Sequence, residues 1–144
     1  MIDFVNYTYF DEDTFDIAMN YQSESQNVVS MRIDIIQDLP QNIHLKCVLW
    51  GYASGQYNVP TGIEMDLDVC DNQFKDYFFN VILTKMNLDK ECPAKKGTYE
   101  NEGFDPEISG FPMYLPSGFR LLLQASIYSG NISLIKTKAY LVVV

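Results

Sequence analysis

The sequence predicts an all-β fold, an antiparallel β-sandwich or β-cup of about eight strands with one helix near residues 72–87. Two observations predict the strands: apolar residues take every second position in seven segments, and turn-forming residues separate those segments. A period of two places alternate side chains on opposite faces of a strand, so each segment has one apolar and one polar face. Strands of this kind share an interior, which either fills with side chains or stays open for a lipid.

The alternation defines each strand in order and is loosest in the first and last segments. Polar residues, glycines or prolines fill the intervals at 11–13, 23–27, 39–42, 53–58 and 129–131, as expected of turns. The predicted strands cover residues 2–10, 14–22, 28–37, 43–52, 61–70, 96–102, 117–129 and 131–144.

One segment, from Asn72 to Asn87, departs from the period of two. Asp71 is positioned to cap a first helical turn, and Asn87 or the residues just before Pro93 are positioned to end the helix. We expect this helix to lie across one face or edge of the sheet. The residues spaced by three and four, as on one side of a helix, are Phe74, Phe78, Val81, Ile82 and Lys85.

Length and composition predict a single domain over residues 1–144 that buries a sizeable core. The chain has 144 residues, of which 47% are hydrophobic, and it shows no linker and no internal repeat. Its apolar runs are far shorter than the roughly 20 residues of a membrane-spanning helix. A net charge of -9 with only two arginines argues against nucleic acid as a partner.

Composition does not decide whether the protein is cytosolic or secreted. The first residues lack the basic and long apolar regions of a signal peptide, so the chain is either cytosolic or a mature secreted protein with an added initiator Met. Three cysteines do not decide between these. Asn6 and Asn131 each begin a sequon, which permits N-glycosylation and favours secretion slightly.

No enzyme, cofactor or metal site is predicted. His44 is the only histidine, and the alternation points it to the polar face of its strand, away from any cavity. Glu64, Asp66 and Asp68 form a row on the outer face of another strand, typical of solvated surface, with weak calcium binding as the minor alternative. Trp50 shares the outer phase with His44 and Tyr52, which indicates either a partner-contact patch or a face covered by a neighbouring element.

Several short motifs occur in a fixed order along the second half of the chain. Cys70 precedes the predicted helix and Cys92-Pro93 follows it; then come Gly97-Thr98-Tyr99 and Leu115-Pro116-Ser117-Gly118, the latter followed by the aromatic Phe119 and an apolar strand. In this order the motifs resemble those of the insect CheB-type secreted proteins, a group related to the ganglioside-activator and ML lipid-recognition folds. The resemblance covers roughly residues 60–130 closely and the N-terminal strands only in pattern.

The resemblance implies a secreted β-cup that binds lipids or other hydrophobic small molecules, with roles in pheromone sensing or in presenting glycolipids to enzymes. It also implies a disulfide between Cys70 and Cys92, the alternative being two free thiols in a reducing compartment. The chain departs from the family because Cys47 has no obvious partner and the C-terminal strand lacks a cysteine. Cys47 lies in phase with apolar neighbours, which predicts a buried free thiol.

The expected function is a secreted protein that carries or presents a lipid or hydrophobic small molecule in an apolar cavity between the sheets, with a receptor or enzyme as a further protein partner. The alternative is a filled β-sandwich that acts as a secreted protein–protein interaction module or effector. The apolar loop 103–116 is expected either to form the mouth of the cavity or to pack on the core as a plug. The expected ligand-binding residues are Ile17, Met19, Met31, Ile33, Leu45, Leu49, Met65, Leu67, Leu121, Leu123 and Ile135, with Phe104, Phe111, Met113 and Tyr114 at the mouth.

Overall fold

A computed structural model of the chain describes residues 2–23, 26–71, 83–88, 90–104 and 116–143, with the backbone alone for 18–23, 26–29, 102 and 104. These residues form eight strands in two antiparallel sheets, which confirms the predicted all-β fold class and strand number. The strands are β1 (Ile2–Val5), β2 (Asp16–Ser23), β3 (Gln26–Ile35), β4 (His44–Ala53), β5 (Gln56–Asp68), β6 (Gly97–Phe104), β7 (Arg120–Ser129) and β8 (Ile132–Val142).

The first strand is shorter than the sequence predicts. It ends at Val5 instead of continuing to residue 10, and Phe10 makes only an isolated bridge with Ile35. The Asp11 carboxylate accepts a hydrogen bond from the backbone N–H of Asp13 at 2.8 Å. A side chain that bonds the backbone two residues on stabilises a turn, here the one predicted at residues 11–13.

The connection between β4 and β5 is tighter than predicted. Only Ser54 and Gly55 lie outside the strands, and Ala53 pairs directly with Gln56. Both turn residues have positive φ, 52° and 81°. Two left-handed residues in succession define a type I′ hairpin, whose twist matches that of the flanking strands, so β5 begins at Gln56 instead of residue 61.

The predicted helix is described only at its C-terminal end. Residues 83–85 form a helical turn, and residues 72–82 lie outside the described part of the chain. Asn87 has a φ of 57°, its N–H bonds to the carbonyl of Thr84, and the N–H of Leu88 bonds to the carbonyl of Leu83. This pair of bonds is a Schellman cap, which confirms that the helical turn ends at Asn87.

The chain divides into two compact units, each built from separated segments. The first comprises Met1–Asn6, Asn42–Val69 and Pro112–Val144 and contains a five-stranded sheet in the order β1-β8-β7-β4-β5. The N-terminal strand therefore pairs with the C-terminal one, through contacts such as Val5 with Ile135. The prediction of one domain over residues 1–144 stays a prediction.

The second unit comprises Tyr7–Gln41 and Cys70–Phe111 and contains a three-stranded sheet in the order β2-β3-β6. Its described core is small, and long-range hydrogen bonds supplement it: Asn101 donates to the carbonyl of Lys85 at 3.2 Å, and the Lys96 N–H donates to the Asp38 carboxylate at 3.2 Å. The buried apolar residues of this unit are Phe10, Ile33, Ile35, Met86 and Ala94.

Candidate functional site

One face of the five-stranded sheet is apolar across all five strands. The register places Leu45 on β4 beside Leu67 on β5 and Ile127 on β7, and Ile127 pairs in turn with Ile135 on β8. Paired residues of neighbouring strands point to the same side of a sheet, so these side chains form one continuous row. We call the side that carries this row the apolar face. Its further members are Val5, Cys47, Met65, Leu49, Leu123, Ala125, Leu121, Ala139 and Leu141, with Thr137 as a polar exception.

The apolar face is unevenly covered. Leu49 and Leu121 on the central strands are 2% and 0% exposed. In contrast, Met65 on the edge strand and Leu123 and Ala125 on β7 are only half-buried. Apolar side chains that stay partly accessible can be covered by a hydrophobic ligand.

The structure brings together seven of the fifteen predicted ligand-binding residues. Three more, Ile17, Met31 and Ile33, belong to the three-stranded sheet, where Ile33 is buried and the other two are half-buried. Met19 on β2 and Phe104 on β6 are described by their backbone alone, and Phe111, Met113 and Tyr114 lie outside the described residues. The seven on the apolar face are Leu45, Leu49, Met65, Leu67, Leu121, Leu123 and Ile135.

Sequence reasoning missed other members of this face. Ala125 and Ile127 share the phase of Leu121, so continuing the alternation along β7 would have found them. Ala139 and Leu141 share the phase of Ile135 along β8, because the bulge between Ile127 and Tyr128 lies on the turn side of Ile135. Continuing the alternation from Ile135 would therefore have found them as well.

Cys47 lies at the centre of the apolar face, between Met65 and Ala125 in register. It is a free thiol with 1% exposure, as predicted. Burial raises the pKa of this thiol to about 12, because the charged thiolate would lose its hydration. Cys47 therefore behaves as a small hydrophobic side chain, and the face around it carries no charge.

The opposite face of the sheet is polar over one half of its length. His44 Nδ1 lies 3.1 Å from Asp66 Oδ1, and the Tyr128 hydroxyl donates to the other oxygen of the same carboxylate. This hydrogen bond to Asp66, with a smaller contribution from desolvation, raises the pKa of Tyr128. Lys46 pairs with Glu64 at 3.2 Å. The predicted outward facing of His44 and of the acidic row is confirmed.

The other half of this outer face is aromatic. Trp50 is half-buried, and its indole N–H donates to Gln124 at 2.9 Å. The Tyr57 ring contacts the rings of Tyr52 and Tyr140, with centroid separations of 4.9 and 5.2 Å. The Arg120 guanidinium lies over the Tyr52 ring, 5.2 Å from its centroid. We call Tyr52, Tyr57, Tyr140 and Arg120 the tyrosine–arginine cluster.

The predicted disulfide is present in the second unit. Cys70 and Cys92 are bonded, with an S–S distance of 2.01 Å. The described residues contain no group of three or more His, Cys, Asp or Glu side chains arranged to hold a metal ion. Within the same residues, no helix is long and apolar enough to cross a membrane.

Fold and face together define a disulfide-bonded all-β protein in which one antiparallel sheet has an extended apolar side. The chain belongs to the family described as "Protein of unknown function (DUF1091)", whose model matches residues 43–120, more than half of the sequence. The match includes β4, β5, the two bonded cysteines and β6, and it ends at the first residue of β7. No curated protein matches the chain.

Proposed function

We propose that this protein is a secreted carrier or presenter of a lipid or other hydrophobic small molecule, bound on the apolar face of its five-stranded sheet. The observation that carries the proposal is the incomplete burial of Met65 on the edge strand and of Leu123 and Ala125 on β7, on a face that is apolar apart from Thr137. A ligand that covered these side chains would remove apolar surface from water on both partners.

The chemistry of the face favours an aliphatic ligand. Its central thiol stays neutral, and Thr137 is the one hydroxyl that the register places among aliphatic side chains. Recognition on such a face depends on shape and apolar contact, and each buried methylene contributes about 0.8 kcal/mol. Met65 adds an unbranched side chain that adapts to different chain shapes.

The family resemblance supports the same function. The motifs from Cys70 to Phe119 resemble those of the CheB-type proteins and, through them, the ganglioside-activator and ML lipid-recognition proteins. Membership of the matched family is consistent with that resemblance. The Cys70–Cys92 disulfide supports a secreted protein, since such bonds persist in oxidising compartments. We include in this proposal that the ligand is a pheromone or a glycolipid and that the protein comes from an insect.

We assign no catalytic role. The single histidine lies on the polar outer face, with its Nδ1 directed at Asp66. Its stacked neighbour is Tyr128, at a centroid separation of 5.5 Å. Acyl or phosphoryl transfer needs an activated nucleophile beside the base, and the contacts of His44 do not provide one.

The test compares two neighbouring positions of β7 that point to opposite faces. Ala125→Phe fills the apolar face, whereas Ser126→Phe places the same ring on the outer face. Protein purified from a secretory host is examined by native mass spectrometry for bound lipid, and after delipidation its affinity for the neutral fluorophore 1-aminoanthracene is measured. We expect Ala125→Phe to weaken binding about tenfold, equivalent to roughly two lost methylene contacts, and Ser126→Phe to leave it unchanged.

The competing function is that of a filled interaction module, which the exposed aromatic half of the outer face favours. Absence of both co-purifying lipid and fluorophore binding in the wild-type protein would support that alternative. Equal weakening by both substitutions, with unchanged thermal stability, would place the binding site elsewhere.

A further inference from the structure

Exposed apolar side chains concentrate at one end of the five-stranded sheet. Tyr140 and Val142 are 55% and 63% exposed, and Phe119 is 46% exposed. Tyr140 belongs to the tyrosine–arginine cluster and Val142 pairs with Arg120, whereas Phe119 adjoins Arg120 in the chain and takes the opposite phase. An exposed apolar patch of this kind is typical of a binding surface.

Arg120 is a cation without an acidic partner among the described residues. The other arginine, Arg32, pairs with Asp34 at 3.3 Å and with Glu100 at 3.8 Å. Lys46 and Lys138 also have carboxylate partners, at 3.2 and 3.6 Å. The contact that holds Arg120 is the ring of Tyr52, which fixes the guanidinium but leaves its charge uncompensated in a protein of net charge -9.

The cluster adjoins the end of the apolar face. Leu121 lies between Gly51 and Leu141 in register, which is the last row of the apolar face within the strands at that end of the sheet, and Phe119 and Val143, joined by a backbone hydrogen bond, follow it. The next residues along β4 and β7 are Tyr52 and Arg120, which point to the opposite side. One residue advances a strand by about 3.4 Å, so a ligand whose aliphatic tail lies on the apolar face and leaves it at this end passes within reach of an arginine side chain.

We infer that the carried amphiphile has an oxyanion headgroup, a carboxylate or phosphate, and that the tyrosine–arginine cluster receives it. The inference rests on the proposed function and specifies its ligand class. The guanidinium offers paired N–H donors that match the geometry of a carboxylate or phosphate. The tyrosine rings present apolar surface to the first methylenes of the tail, and their hydroxyls are further donors.

The chemistry of the cluster favours this occupant over a second copy of the chain. A two-fold contact through the same patch would bring Arg120 against Arg120. Two carboxylates of the same sheet face, Glu64 and Asp66, already bond Lys46 and the His44–Tyr128 pair. Among the described residues, Arg120 therefore presents a guanidinium that an anionic headgroup can bind.

The test uses three ligands with the same tail: oleate, oleyl phosphate and oleyl alcohol. Displacement of 1-aminoanthracene from delipidated protein by each ligand is measured at pH 7.5. Each ligand is kept below its critical micelle concentration. The variants are Arg120→Gln and the control Lys136→Gln, which removes one positive charge from an exposed position on β8 outside the cluster. Acetate and inorganic phosphate are tested as free anions.

We expect the wild-type protein and Lys136→Gln to bind both oleyl anions about tenfold more tightly than the alcohol, as one charge-assisted contact predicts. Arg120→Gln should abolish this preference without changing the affinity for oleyl alcohol. Equal affinity for all three ligands in the wild-type protein, or a preference that survives Arg120→Gln, would overturn the inference and leave the proposed function standing. Displacement by acetate or phosphate alone would overturn it too, since the tail would then be irrelevant. Failure of all three oleyl compounds to bind would instead contradict the proposed function.

Discussion

Asp66, on the edge strand β5, lies within hydrogen-bond distance of side chains on two other strands, His44 on β4 and Tyr128 on β7. The Tyr128 hydroxyl donates to one oxygen, and His44 Nδ1 lies 3.1 Å from the other. Because Asp66 is itself an anion, the bond favours the protonated phenol, and the pKa of Tyr128 is raised in the folded protein. The ionisation of Tyr128 is therefore coupled to folding.

This coupling predicts a loss of stability at alkaline pH. The folded chain holds the Tyr128 proton more tightly than the unfolded chain does. The contribution of this hydrogen bond to the free energy of unfolding is therefore fully present below the unfolded tyrosine pKa of about 10. It falls as pH rises from there through the raised pKa of the folded state. Urea unfolding at pH 8 and above pH 10 should show a steeper decline for the wild-type protein than for Tyr128→Phe. Tyr140→Phe, which removes an exposed hydroxyl, is the control and should follow the wild-type protein. A stability difference between the wild-type protein and Tyr128→Phe that did not change with pH would contradict the prediction.

The sequence predicted the facing of these residues but not their contacts. Alternation alone places His44 and Asp66 on the outer side of their strands. The bond between Tyr128 and Asp66 joins residues 62 positions apart. It depends on the registers of two strand pairs, and one position of slip would send either side chain to the other face.

At the scale of elements, turn chemistry decided which boundaries could be predicted. Asn87 was recognisable as a helix end because a left-handed residue suits the cap it forms. The tight Ser54-Gly55 turn is hard to recognise within the interval 53–58, since Ser is less typical than Asn or Asp of a type I′ hairpin. The pairing of Cys70 with Cys92 was implied by family resemblance and is present.

The disulfide predicts a measurable stability difference in the second unit. Cys70 and Cys92 are separated by 22 positions, and on the chain-entropy model a cross-link that closes a loop of this length stabilises by about 3 kcal/mol. The double variant Cys70→Ser/Cys92→Ser should lose roughly that amount in equilibrium unfolding. Because the thiol of Cys47 is buried, adding a reductant to the variant should change nothing further. A double variant as stable as the oxidised protein would show that the bond adds no net stability.

At the scale of the whole molecule, the all-β class follows from local patterns, whereas the order of strands does not. Each strand shows a period of two, and no long-range information is needed to recognise it. The five-stranded sheet, however, joins β1 to β8 and β4 to β7, pairs that are distant in sequence. The apolar face exists only because of these pairings, so sequence reasoning found its members singly and mixed them with residues of the other sheet, such as Ile33.

The two sequons bear on the proposed secreted location, and their asparagines differ in exposure to solvent. Asn131 is exposed and follows Gly130 in the two-residue turn between β7 and β8. Asn6 is half-buried: its side-chain amide donates to the Ser133 carbonyl at 3.0 Å, and its backbone N–H donates to Leu134 at 2.8 Å. A glycan on Asn131 projects into solvent, whereas one on Asn6 would replace an amide hydrogen within a packed contact.

We therefore expect the chain, expressed behind a secretory leader in a eukaryotic host, to carry a glycan at Asn131 and none at Asn6. Treatment with a peptide N-glycosidase should reduce the mass of the wild-type protein and of Asn6→Gln, but not that of Asn131→Gln. Because Asn6→Gln disturbs the contact with Ser133 and Asn131→Gln changes only an exposed side chain, the first should also lower the melting temperature and the second should not. Full occupancy at Asn6 in a protein with unchanged stability would contradict this assignment, since the bond to Ser133 would then contribute little to the pairing of the chain ends. Retention of an unglycosylated, aggregated product in the secretory pathway, with a soluble form obtained only in a reducing cytosol, would instead contradict the proposed secreted location.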